Sequence, residues 1–166
     1  LDRFAQRRDL LNNIDIKGVS GKGAESVEFY EGQAYDVILG SAKDAFNLDK
    51  EDEKTREAYG KNSIGDQLLL ARRLAEHGTR FVTLHYGGWD HHSNVGTAMK
   101  AKVPPVDKAI ASFLQDVEER GLSEKILLVV TGEFGRTKLN GTVGRDHWPS
   151  MTPMLMAGGE YQSGRT

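Results

Sequence analysis

Two short stretches hold most of the residues able to do chemistry: GGWDHHSN at 87–94 and TGEFGRTKLNGTVGRDHWP at 131–149. Together they carry three of the five histidines, His91, His92 and His147, beside Asp90, Glu133 and Asp146. Imidazole mixed with carboxylate is a donor set for a divalent metal, and the chain has no cysteine, so any transition metal must be held by His, Asp and Glu. In extended backbone successive side chains alternate sides, which brings Asp90 and His92 to one point and turns His91 away. For DHH alone, a solvated polar loop competes strongly with a metal site; the second loop weakens that competitor. Glu133 follows a buried β-run, where an unpaired carboxylate is costly, so it needs a metal, a cation or a hydrogen-bond network. A local Glu133–Arg136 ion pair and metal ligation stand about even. In RDHW, Arg145 could pair with Asp146 and leave His147 packed on Trp148, but a loop of about 17 residues is longer than compact domains usually carry without a purpose. His85 falls within a strand and His77 at a helix C-terminus, both ordinary structural places.

The elements that must deliver these loops alternate helix and strand. The spacing predicts a helix from Ser63 to Gly78 and a strand at 80–86 (RFVTLHY). It predicts a second helix opening at Pro104 and Pro105 with Val106, Ile110, Phe113, Leu114 and Val117 on one face, then a fully buried strand at 126–131. Short apolar strands separated by a helix suit a right-handed crossover, so 80–86 and 126–131 are expected as adjacent parallel strands, with TPMLMAGG a third. Residues 1–62 read as mostly helical. There is a short helix at Leu1, Phe4, Ala5 and Leu11, a glycine-rich loop, and a long helix over 24–46. A charged stretch follows, NLDKEDEKTREAYG, which reads as a solvated helix capped by Asp49 and stopped by Gly60.

Composition bounds the rest. The 166 residues suit one domain, and 22 basic against 24 acidic side chains give a net charge of −2, which removes the electrostatic footprint of a nucleic-acid or anionic-membrane binder. No run is long and apolar enough for a membrane span, and the opening LDRFAQRRDL has no signal-peptide core. The 19 glycines concentrate in the second half, where irregular backbone surrounds the candidate residues.

GGWDHHSN, GEFGRT and GRDHWP, in that order and preceded by LLLARRLAEHGTRFVTLHY, closely resemble the secreted bacterial proteins of the domain of unknown function 1501 family over nearly the whole chain. That family is in turn similar to the alkaline phosphatase and sulfatase superfamily. The resemblance implies an α/β fold, three-layer with a mainly parallel, alkaline phosphatase-like sheet and a helical N-terminal part, in a single partial domain over 1–166. It also implies a periplasmic or secreted location. It places Asp90, His92, Glu133 and His147 as metal ligands, with Phe134 where the superfamily has a second His. Asp146 and His91 stand behind the ligands, and Arg136 and Arg145 neutralise an anionic transition state. Zinc or manganese suits such ligands, with calcium or magnesium less favoured. The superfamily's nucleophile and first metal-binding Asp have no counterpart in residues 1–60, so the chain is expected to be part of the C-terminal half of a longer protein. The implied activity is metal-dependent hydrolysis of phosphate or sulfate esters, small or polysaccharide. The alternative is a non-catalytic binding or scaffold relative, and exposed sheet surface would favour self-association.

Overall fold

The computed structural model describes residues 42–160, with Arg3, Gln6, Leu10, Phe29, Tyr30 and Gly32 before them. The helix expected near Leu1–Leu11, the glycine-rich loop and most of the helix expected over 24–46 lie outside the described residues. The chain divides into two compact units, Leu1–Asn47 and Leu48–Thr166. The first contributes one described helical turn, α1 (Ala42–Ala45).

In the second unit a 3-10 turn at Leu48–Lys50 precedes α2 (Glu53–Tyr59), α3 (Ser63–Glu76) and α4 (Val95–Glu119). Capping differs by a few residues from the sequence expectation. Because the 3-10 turn uses Leu48–Lys50, Asp52 rather than Asp49 caps α2, accepting from the Thr55 amide at 2.8 Å, while Asp49 pairs with Arg56 at 2.9 Å. Asn62 rather than Ser63 caps α3, accepting from the Gly65 amide at 3.1 Å. Gly60 ends α2 as expected, at φ 83°. Helix α4 starts nine residues before its expected opening and carries Pro104 and Pro105 in its interior. A proline there removes an amide donor and crowds the preceding turn, so α4 must be held by packing rather than propensity. Phe113 and Val117 of the expected stripe, together with Ala109, supply it, buried against Tyr59, Ile64, Leu68 and Leu69 of α2 and α3, while Val106, Ile110 and Leu114 pack half-buried at the margin.

One edge of this core is ionic. Arg72, 1% exposed, reaches Glu51 at 2.8 Å, Glu76 at 2.5 Å and Asp116 at 3.0 Å. Arg120 reaches Asp116 at 2.6 Å and Glu76 at 3.1 Å, Arg73 pairs with Glu51, and the Tyr59 hydroxyl donates to Asp116 at 2.9 Å. A buried guanidinium is tolerable only when several acceptors surround it. Burial pushes the Glu51 carboxyl up, but Arg72 and Arg73 more than offset this and hold it below its ordinary value. The charged stretch before Gly60 is therefore only partly solvated: Tyr59 is in the core and Glu51 in the network.

The strands are short. β1 (Leu127–Thr131) pairs antiparallel with β4 (Met154–Gly158), from Leu127↔Gly158 to Thr131↔Met154. β2 (Gly135–Arg136) pairs antiparallel with β3 (His147–Trp148). The strands expected at 126–131 and within 152–159 are present, but the chain between them folds back, so the third strand returns antiparallel beside the first. The expected parallel partnership of 80–86 with 126–131 is absent among the described residues. Residues 80–86 run outside any ladder and alternate exposed and half-buried, with Leu84 and Tyr86 packed on the helical core. Nor is β1 fully buried: Leu127, Val129 and Val130 are exposed. The second unit is thus helices with two small antiparallel sheets, and no helix among the described residues is long and apolar enough to cross a membrane.

Candidate metal centre

The site is built where the loop at 87–94, which leads into α4, meets the β2–β3 hairpin. In the hairpin, Arg136 and His147 are direct cross-strand partners. The Asn-Gly sequence at its tip forms the turn: Asn140 accepts from the Val143 amide at 3.1 Å through its carbonyl, and its own amide donates to Gly144 at 2.9 Å. Val143, at φ 57°, sits in a region that β-branched residues avoid, and a bridge to Ser93 holds it there. Three bonds stitch the two loops together: Asn94 N to Thr142 O at 3.2 Å, Val95 N to Val143 O at 3.0 Å and Arg145 N to His91 O at 3.0 Å. The approach is so close that a Cβ on Gly144 would overlap the His92 carbonyl and the Ser93 amide.

This meeting brings three donor atoms to one point. Asp90 Oδ1 lies 3.0 Å from His92 Nε2 and 3.0 Å from His147 Nε2, and the two nitrogens are 3.2 Å apart. Donors around a metal at about 2.1 Å lie about 3.0 Å apart at right angles and about 3.4 Å apart in a tetrahedron, so the triangle fits one face of a coordination sphere. The three side chains are exposed, which leaves the opposite face open.

The surroundings set the chemistry of these atoms. His92 Nδ1 is 2.9 Å from Asp146 Oδ1. A carboxylate can only accept, so Nδ1 carries the proton and Nε2 turns a lone pair toward the Asp90 oxygen. Two facing lone pairs at 3.0 Å need a proton or a cation between them. The hydrogen bond from His147, with that from Arg136 at 2.7 Å, holds the Asp90 carboxyl down at about 2, so it is ionised at neutral pH. Asp146 is lowered too, chiefly by His92. Phe134 lies 4.3 Å centroid to centroid from the His147 ring and restricts its orientation.

Of the residues expected as ligands, Asp90, His92 and His147 form the cluster. Glu133 is exposed and stands outside it, and it makes no ion pair or side-chain hydrogen bond among the described residues. Arg136 is engaged by Asp90 rather than by Glu133. Asp146 stands behind His92 as expected. Arg145 is exposed and makes no pair with Asp146, while His91 is half-buried and outside the cluster. Sequence reasoning missed Asn140, Thr142 and Gly144, which join the loops. Their signal was the Asn-Gly turn pair within NGTVG.

A family model described as protein of unknown function (DUF1501) matches residues 1–166. The chain belongs to that family. No curated protein and no solved structure matches it. In this DUF1501 chain the three motifs that carried the resemblance are therefore the segments that meet: the first supplies Asp90 and His92, the second Arg136 and the third Asp146 and His147.

Proposed function

We propose that this chain forms the metal-holding part of a hydrolase of phosphate or sulfate esters. The observation that carries the reading is the triangle of Asp90 Oδ1, His92 Nε2 and His147 Nε2, which lie together as possible ligand atoms, with Asp146 fixing the tautomer of His92. A divalent ion held there, zinc or manganese before calcium or magnesium, supplies Lewis acidity toward an ester oxygen. The chain's own residues do the rest. Asp90 and the two histidines bind the ion, Arg136 keeps Asp90 ionised and adds positive charge beside the open face, and the exposed Arg145 guanidinium is available to a bound oxyanion. The nearby threonine hydroxyls are occupied by the loops: Thr142 donates to the His92 carbonyl at 2.6 Å, and Thr137 and Thr131 bond backbone groups. The nucleophile of a covalent route is accordingly assigned to a segment other than these loops, as is the parallel, alkaline phosphatase-like sheet that the family resemblance implies.

The test is binding before turnover. Chain loaded with zinc or manganese is expected to bind inorganic phosphate or sulfate, measured by calorimetry, and metal-free chain is not. Loaded chain that binds neither anion would sink the reading. Assays with phosphate and sulfate monoesters should show little hydrolysis; robust turnover abolished by Asp90→Ala and by His147→Ala would show instead that the catalytic set is complete here. A second reading, a non-catalytic relative that keeps the loop architecture, is favoured by the position of Glu133 outside the cluster and by the aromatic Phe134 packed on His147.

A further inference from the structure

Asn140 touches neither a candidate ligand atom nor the open face, yet its side chain bonds both to its own hairpin and to the backbone of the facing loop. Its Oδ1 accepts from the Thr142 amide at 3.1 Å and the Gly144 amide at 2.9 Å. Both partners are backbone donors, so the orientation of the amide is fixed by chemistry, and Nδ2 must point the other way. There it meets two groups that can only accept, the His92 carbonyl at 3.2 Å and Asp146 Oδ1 at 3.3 Å. Thr142, whose hydroxyl donates to the same His92 carbonyl at 2.6 Å, completes the clasp.

From this arrangement we infer that Asn140 is a positioning residue that fixes His92 as a ligand through two routes at once: it anchors the His92 backbone and it holds the Asp146 carboxylate against His92 Nδ1. Asp146 accepts from both Asn140 Nδ2 and His92 Nδ1 through the same oxygen, so removing the amide donor frees that oxygen to swing. His92 then loses the acceptor that keeps its proton on Nδ1, and the proton can move to Nε2, the atom needed for coordination. The hairpin turn and the imidazole tautomer are thereby set by one side chain. Groups that orient a metal-bound imidazole from behind typically change metal affinity by roughly 10–100-fold when removed. The consequence for metal rests on the function proposed above; the tautomer does not.

Asn140→Asp separates the two roles. The carboxylate keeps an oxygen for the Thr142 and Gly144 amides but has no hydrogens for His92 or Asp146, and it sets a like charge beside Asp146. The experiment records the imidazole nitrogen shifts of His92 by NMR in metal-free wild type, Asn140→Asp and Asn140→Ala, with the amide signals of Thr142 and Gly144 as a check on the turn. Zinc titrations of the same proteins follow. Expected are the Nδ1–H tautomer in wild type, its loss in both variants with the turn kept in Asn140→Asp, and zinc affinity lower by roughly 10–100-fold in both. An unchanged tautomer in the variants overturns the inference, and so does loss of turn and tautomer together in both, which would make Asn140 a turn former alone. Wild type that shows the expected tautomer but binds no zinc would refute the metal reading and leave the positioning role standing.

Discussion

Gly144→Ala probes the point on which the whole site depends, the contact between its two loops. A Cβ at this position would collide with the carbonyl of His92 and the amide of Ser93, both backbone atoms that cannot rotate aside. To restore ordinary contact the loops must part by more than about 1 Å. Overpacking of this kind costs about 1–3 kcal/mol. The parting also stretches the three stitching bonds, now 3.0 to 3.2 Å long, each worth about 1 kcal/mol. His92 lies on one side of the contact and His147 on the other, so their separation of 3.2 Å grows by a similar amount, and metal sites tolerate donor displacements of only about 0.2 Å. Zinc affinity measured by calorimetry should fall by at least about 10-fold, in line with the sensitivity of metal sites to their supporting shell. The helical core, which Gly144 does not touch, should melt nearly as in wild type when followed by circular dichroism. A Gly144→Ala protein that binds zinc like wild type would refute the reasoning, because the loops could not then be in contact as described.

Three further outcomes follow from the packing and the charges. Phe113, 4% exposed between α3 and α4, should cost about 3–5 kcal/mol when replaced by alanine, read from urea unfolding at neutral pH. Glu51, whose folded pKa lies below its ordinary 4.5, contributes stability that is fully present above that value and is lost as pH falls through the folded one. Glu51→Gln should therefore be less stable than wild type at pH 7, by about 2 kcal/mol, with the gap closing below pH 4.5, as urea unfolding at pH 7 and pH 3 would show. Glu133→Ala should leave zinc affinity within about threefold of wild type, since Glu133 stands outside the donor triangle; a loss of the size seen on removing a ligand would restore it to the coordination sphere.

The donor residues were legible because alternation in extended backbone is a local rule: it selected Asp90 and His92 over His91, and the cluster contains those two. His147 was legible from its place in a long polar loop. The destination of Glu133 was not, because it depends on how the chain turns between β1 and β2, and because Arg136, its nearest cation in sequence, is taken by Asp90 of the facing loop. The helices around the core were read from periodicity, but α4 begins at Val95, since burial of Phe113 and its neighbours outweighs two interior prolines whose local preference is to start a helix. Two strand positions, near 126–131 and within 152–159, followed from apolar runs, whereas the run at 80–86 joins no ladder and strand direction did not follow: hydrophobic pattern says nothing about which edge a strand pairs with, and Met154–Gly158 returns antiparallel to Leu127–Thr131. The ionic network around Arg72 stayed hidden because its carboxylates, Glu51, Glu76 and Asp116, are far apart in sequence and each looks like ordinary helix surface.

The central claim is that Asp90, His92 and His147 hold a divalent ion, and metal stoichiometry tests it most directly. The chain is dialysed to equilibrium against zinc and, separately, manganese, and bound metal is counted by elemental analysis in wild type, Asp90→Ala and His147→Ala. The account predicts one ion per wild-type chain for at least one of the two metals and none retained by either variant. Wild type free of both metals, or variants that retain the ion at full stoichiometry, would contradict it.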